Sequence, residues 1–267
     1  MSIGEEQVDL SRVFELEPHG PDTYVGESPS YSWGRIYGGL VVAQALWAAT
    51  KTVDPKYRVH SLHSYFILGG SLKEPVRYEV DRVRNGRSFT TRTVAARQST
   101  GAILTLSASF QLAEEGPESQ SATFPADVAT PETLKMYYDG GAERCDVEVP
   151  AAPPRSLAWA RYPASLGDDP RLHACMLAYL SDINPMSAVH RAFPNDSDDF
   201  MGASLDHAIW FHRPARADNW VLIDMDGHGI VGNRGLATGI VFRQDGVHAA
   251  TIAQEGLLRE RRTSSAG

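Results

Sequence analysis

Two tandem units, each a single helix followed by an antiparallel sheet, are what the 267-residue sequence predicts, an α+β architecture. Three observations lead there. Gly38–Lys51 (GGLVVAQALWAATK) carries Gln44 as its one strongly polar side chain before Thr50, and a helix that is apolar all round is a buried one. Four strand patterns follow it in succession. The second half of the chain then repeats the first.

In chain order, Val13–Leu16 is an apolar patch suited to a short helix, and a strand fits Thr23–Gly26. The buried helix at 38–51 must end before Asp54-Pro55, because proline cannot continue it. Val59–Leu68 is rich in β-formers, and Val76–Arg84 alternates polar and apolar residues up to the Asn85-Gly86 hairpin turn. Ser88–Gln98 and Ile103–Gln111 complete the first sheet. Residues 113–142 are rich in Glu, Pro, Ser and Ala and read as an exposed linker with a short helix at Pro131–Tyr138. Strands are expected at Cys145–Val149 and Ser156–Arg161, and a helix at Arg171–Ser181, where Leu172, Met176, Leu177 and Leu180 keep helical spacing. Ala203–His212, Trp220–Asp226, Gly235–Arg243 and His248–Glu255 are the last four strands.

The repeat is visible in the residues. Ser61-Leu62-His63-Ser64-Tyr65-Phe66 is echoed by the run from Ser204 to Phe211, and Arg87–Thr91 by Arg234–Thr238. One helix wrapped by such a sheet is a hotdog, and two in tandem form a double hotdog. The boundaries are 1–112 for the first hotdog, 113–142 for the linker and 143–262 for the second, with 263–267 a polar tail.

A formal charge of −8 argues against general binding to nucleic acid or a membrane surface. The helix at 38–51 is too short to span a bilayer, which takes about 20 apolar residues. Cys145 and Cys175 lack metal-ligand spacing, so free thiols in a reducing compartment are expected. With no signal peptide evident in MSIGEEQVDL, a cytoplasmic location is the expectation.

No GxSxG, HExxH, Walker A or zinc-finger spacing occurs. Gly227–Gly232 is a literal GxGxxG, but a dinucleotide site needs a helix to open there, and NRGLATGIVFRQDG reads as a strand ending in a turn. The paired glycines Gly38-Gly39 leave backbone N–H groups open at a helix N-terminus, where partial positive charge suits a carbonyl oxygen or anion. They suit close packing of a core helix equally well.

The segments GRIYGGLVVAQALWAA, VHSLHSYFILGG, LDHAIWFHRP and DGVHAATIAQEGLLR resemble the acyl-CoA thioesterase II family, over roughly residues 10–112 and 145–260. The resemblance implies a double hotdog that hydrolyses fatty acyl-CoA with a water held by three polar residues, without metal, cofactor or covalent intermediate. It implies Asp206, from the LDH run, as the first of these and Gln254, from the QEG run, as the last. The middle member is usually Thr or Ser, and an ungapped count from Trp220 to Arg234 puts His228 there. Three roles stay open for His228: holding the water, forming a dyad with Asp206, or lowering activity. On strand alternation Asp206 shares a face with Ser204, Ala208 and Trp210, and Gln254 with Ala250 and Ile252. The resemblance further implies one composite site per chain, with Gly38 and Gly39 facing second-half polar residues, and association into a homodimer.

The expected partner is the acyl-CoA substrate, whose phosphates call for basic residues. Arg82, Arg84, Arg87 and Arg92 gather around the Asn85-Gly86 turn, with Arg58 and Arg213 as further candidates. His60, His63, His207 and His212 fall in strands and suit structural hydrogen bonding. Two rival readings remain: a hotdog hydratase or dehydratase using an Asp206–His228 pair, and a non-catalytic acyl-CoA-binding protein.

Overall fold

A computed structural model describes residues 8–150, 152–183, 185–191 and 200–260. Its strands are β1 (Glu17–Pro18), β2 (Thr23–Gly26), β3 (Tyr57–Phe66), β4 (Val76–Asn85), β5 (Phe89–Gln98), β6 (Gly101–Leu112), β7 (Tyr137–Asp139), β8 (Ala142–Val147) and β9 (Arg155–Arg161). They continue with β10 (Phe200–Ser204), β11 (Asp206–Phe211), β12 (Val221–Val231), β13 (Arg234–Arg243) and β14 (His248–Glu260). The helices are α1 (Gly38–Lys51), α2 (Pro170–Ser181) and α3 (Pro185–His190).

The strands join in one sheet in the order β1-β2-β4-β5-β6-β3-β11-β14-β13-β12-β9-β8-β7, with β10 paired to β14. Each half runs helix, then strands a, b, c and d, laid out b-c-d-a. The two a strands, β3 and β11, pair antiparallel from Asp206↔Tyr65 to Trp210↔Ser61. The internal repeat is therefore a pseudo-two-fold about that junction, and the fold is the expected double hotdog.

Helix α1 occupies its predicted bounds because its sequence offers no solvated face. Leu40, Val42, Leu46 and Ala48 are fully buried under the first sheet, and burial of each Leu or Val contributes about 1.5–3 kcal/mol. Gln44, its lone polar side chain, is satisfied completely. Its amide nitrogen donates to the Val13 and Glu27 carbonyls at 2.8 and 3.0 Å, and its oxygen accepts from the Tyr78 hydroxyl at 2.6 Å. The residue thus fastens the N-terminal segment to the core, as a buried amide must find partners.

Several expectations need correction. Residues 11–14 form a turn and no helix. Residues 113–136 hold only a single 3-10 turn, Pro131–Thr133, yet they are not a free linker. Phe124 packs on Trp159 and Phe242, and the Trp159 indole donates to the Ala129 carbonyl. Half-buried apolar side chains of this Pro-rich run, Phe124 among them, strap it across the outer face of β9 and β13. Helix α3 was unforeseen, since its six residues are too few for a periodic signal. The GxGxxG run lies in β12 and the turn after it, with no helix opening there. Arg92 is not a surface residue: it is 2% exposed, so it cannot meet a CoA phosphate. The polar tail 263–267 lies outside the described residues.

Arg92 is instead a polar rivet in the first half. Its guanidinium donates to Thr52 Oγ1 at 2.7 Å, the Thr52 carbonyl at 3.0 Å, Asn85 Oδ1 at 2.7 Å and the carbonyls of Arg84 and Thr91. Arg92→Ala would strand several buried acceptors, each costing about 1–3 kcal/mol. Urea unfolding of this variant is expected to show a loss of at least about 3 kcal/mol, and a loss under about 1 kcal/mol would refute the rivet.

Candidate functional site at the end of the first helix

Helices α1 and α2 lie side by side, and the N-terminus of α1 meets the C-terminus of α2. Contact there requires the two glycines. A Cβ on Gly38 would stand 2.7 Å from Asp182 Oδ2, and one on Gly39 would stand 2.6 Å from the Tyr179 carbonyl oxygen. The N-cap residue, Tyr37, offers no side-chain cap; its hydroxyl donates to that Tyr179 carbonyl at 3.1 Å. First-half glycines thus stand against second-half polar groups at this junction.

A cleft of about 460 Å³ opens at this junction, lined by Tyr37, Gly38, Phe66, Asp182 and Ser204 among others. A smaller one on the other side of Asp182 reaches Gln254 and His190. Behind them the inner face of the second sheet carries a chain of polar groups. The Gln254 amide nitrogen donates to Ser204 Oγ at 2.8 Å, and its oxygen faces His207 Nδ1. His207 Nε2 lies 2.8 Å from Ser181 Oγ. His207 is fully buried, and desolvation pushes its imidazolium pKa down to about 4, partly offset by Gln254. The ring is neutral at pH 7, and the Gln254 carbonyl assigns its proton to Nδ1. His207 and the Gln254 amide thus hold one another in place, a structural role of the kind expected for the strand histidines.

Asp182, the C-cap of α2, is the acid of this site, and nothing in the sequence singled it out. Burial pushes its carboxyl up to about 7, with the Gln254 amide and the Gly39 N–H drawing it back. Its Oδ1 is buried and, among the described residues, has no hydrogen-bond partner. Only its position after a buried helix and three residues before Pro185 could have drawn notice.

The three residues aligned as catalytic are placed differently from one another. Gln254 is 1% exposed and faces inward, on the face shared with Ala250 and Ile252. Asp206 sits at a β-bulge. From the pair Ser204↔Gly256 to the pair Ala208↔Ala253 the chain advances four residues against three, so one residue is extra. That extra residue returns Ser204 to the inner face and parts it from Asp206, contrary to simple alternation. The Asp206 carboxylate accepts from the Glu255 N–H at 2.7 Å, in register with exposed Tyr65. His228 is exposed, with Nε2 2.6 Å from Thr238 Oγ1. It stands on β12, three interstrand steps of about 4.8 Å from the strand of Asp206. Asp206 and His228 thus open on the outer face, and Gln254 on the inner. Arg58 and Arg213 line a separate cleft of about 510 Å³, with Pro170 and Arg171 at the N-terminus of α2.

The buried titrating pair gives a testable pH signature. Asp182 holds its proton more tightly folded than unfolded, where its value is near 3.8. Its contribution to stability is full below about pH 4 and is lost as pH rises to about 7, a range worth roughly 4 kcal/mol. His207 acts in the opposite sense, its contribution being lost as pH falls from 6.5 to about 4. Relative to wild type, Asp182→Asn is therefore expected to gain stability steadily between pH 4 and 7 in urea titrations. A difference that stays constant across that range would contradict the buried, protonated acid.

Comparison with known proteins agrees with this architecture in both halves. Residues 28–111 match the acyl-CoA thioesterase N-terminal domain and residues 112–258 the acyl-CoA thioesterase C-terminal domain. Acyl-coenzyme A thioesterase 8 of Mus musculus is 36% identical across 94% of this chain and 88% of its own. Acyl-CoA thioesterase 2 of Haemophilus influenzae is 32% identical across 94% and 97%. The crystal structure of acyl-CoA thioesterase II TesB2 from Mycobacterium marinum superposes with a TM-score of 0.84 at 35% identity, covering 96% of this chain and 99% of that one. The chain belongs to the acyl-CoA thioesterase family and carries both of its domains in one polypeptide.

Proposed function

We propose that the protein hydrolyses acyl-CoA thioesters to free acid and CoA, and that fatty acyl-CoA is its substrate class. The observation that carries this reading is the family membership of both halves, joined to two clefts that share Asp182, one beside Gly38 at the α1 N-terminus and one beside the inward Gln254 amide. Thioester hydrolysis needs a base for the attacking water and donors for the oxyanion that develops on the carbonyl. Asp206 is proposed as the base. It is a part-exposed carboxylate directly beyond Ser204 and Leu205, which line the cleft. Gln254, aimed by His207, is proposed to orient the water or the carbonyl. His228 enters through the family alignment as the third polar group, on the same outer face as Asp206. Gly38 and Gly39 are proposed as the wall against which the thioester lies.

No described helix is long and apolar enough to cross a membrane. A cytoplasmic location and a homodimer complete the proposal.

The test follows thiol release from acyl-CoAs of graded chain length. Wild type is expected to release CoA, with Asp206→Ala and Gln254→Ala each at least about 100-fold slower, the usual worth of a general base or its partner. His228→Ala is expected to lose at least about ten-fold. A fully active Asp206→Ala enzyme would sink the mechanism, and an unchanged His228→Ala would remove that residue from it. Enoyl absorbance changing without CoA release would support the hydratase reading, and saturable binding without turnover the binding protein.

A further inference from the structure

We propose that Asp182 is a catalytic residue of this site: as a neutral carboxylic acid it donates a hydrogen bond from Oδ1 to the substrate's thioester carbonyl, beside the Gly38–Gly39 end of α1. The inference rests on the thioesterase reading above and adds to it the electrophilic half of the chemistry.

Three features of the fold carry it. First, the residue is half-buried, with Oδ1 itself buried, and it borders both clefts at the junction, the larger beside Gly38 and the smaller beside Gln254. Second, among the described residues Oδ1 has no partner, in a place where a buried polar atom is costly to leave unpaired. Third, the first half of the molecule provides an internal comparison. Thr52 caps α1 as Asp182 caps α2, and each cap stands three residues before a proline. Buried Arg92 satisfies Thr52 through both its hydroxyl and its carbonyl. The position echoing Arg92 in the second half is Gly239, which is occupied against Met225 and supplies no side chain. One cap is riveted, and its counterpart is an acid at the border of two clefts with one oxygen unpaired among the described residues.

Burial raises that acid to about 7 against the pull of the Gln254 amide and the Gly39 N–H, and the described side chains around it bring no cation to lower it further. Tyr37 faces it from the end of α1 and Tyr179 from α2, both phenols raised by burial. Asp139 adds negative charge near the two tyrosines. His207, behind Gln254 on β11, is itself neutral, and His190 on α3 is pulled down by burial. Arg35 lines both clefts, but among the described residues no cation pairs with Asp182. A carboxylic acid held protonated can serve as an oxyanion donor.

The step balances without any added reactant. Water oxygen attacks the thioester carbon, and its proton passes to the Asp206 carboxylate. The carbonyl oxygen takes the electron pair and accepts the Asp182 hydrogen bond. Collapse of this intermediate breaks the C–S bond, the CoA sulfur leaves as thiolate, and the proton on Asp206 returns to it. The Asp182 proton stays on Oδ1 throughout.

An acid donor and a general base give opposite pH signs, which makes the proposal decidable. Wild-type kcat/KM is expected to fall above about pH 7, near the value to which burial raises Asp182. Asp182→Asn keeps a donor at every pH, so it should hold at least a tenth of the activity and lose the alkaline fall. Asp182→Ala should lose about 100-fold in kcat, the cost of one oxyanion donor, while circular dichroism shows it folded. Equal rates for the Asn and Ala variants, or an alkaline fall that persists in Asp182→Asn, would overturn the assignment. A second readout needs binding alone: a ketone analogue of acyl-CoA with a 13C-labelled carbonyl. Its resonance should move downfield on wild type at pH 6, less at pH 8.5, and not on Asp182→Ala. A shift without CoA release from true substrates would defeat the thioesterase reading and leave the donor standing. CoA release with no shift would do the reverse.

Discussion

The antiparallel pairing of β3 with β11 is the constraint on which the rest depends. Each half alone is a sheet curled over one helix, and its first strand would be an open edge with unpaired N–H and C=O groups. Pairing Asp206–Trp210 with Ser61–Tyr65 removes both edges at once and lays α1 against α2 head to tail. The Ser64 hydroxyl, donating to the His207 carbonyl at 2.9 Å, closes the same seam from inside. The glycines of α1 are thereby pressed onto Tyr179 and Asp182, and the face that joins the α1 N-terminus to Asp182 takes its place from that contact. A site built in this way cannot be assembled by either half alone.

The features written locally in the sequence were the legible ones. Helix α1 was found to the residue, because an uninterrupted apolar run bounded by glycines and Asp54-Pro55 leaves little choice. The hairpin at Asn85-Gly86 and the repeat around Ser61 and Ser204 were equally plain, and they sufficed for the double hotdog. What failed depended on distant contacts. Period-2 reasoning put Ser204 and Asp206 on one face; one extra residue at a bulge reverses that, and no local composition marks it. Arg92 looked like a surface charge until Thr52 and Asn85, from other elements, closed around it. Residues 113–136 have a loop's composition, yet Phe124 gives them a place in the outer core.

Asp182 was the least legible residue of all. An aspartate after a helix, followed by proline, is ordinary turn chemistry in a sequence. Its character comes from what surrounds it: a glycine that lets α1 approach, an amide held by a neutral histidine, buried Tyr179 and half-buried Tyr37. None of those residues is within the same local segment except Tyr179. Burial of a titratable group is a tertiary property, so sequence patterns that find nucleophiles and metal ligands by spacing pass it by.

The two halves show why only one junction of this kind is expected to be chemically active. They share a topology, and each ends its helix on a polar cap, but they treat that cap in opposite ways. In the first half Arg92 supplies two of its donors to Thr52, and the cap is a closed structural element. In the second, Gly239 stands where the arginine would, and Asp182 keeps an unpartnered oxygen beside a cleft. An unpaired buried oxygen lowers stability, so its persistence needs a compensating use, and a bound carbonyl provides one. Duplication of a fold gives two equivalent positions; satisfying the polar group at one and withholding satisfaction at the other is a sufficient physical route from a symmetric scaffold to a single site.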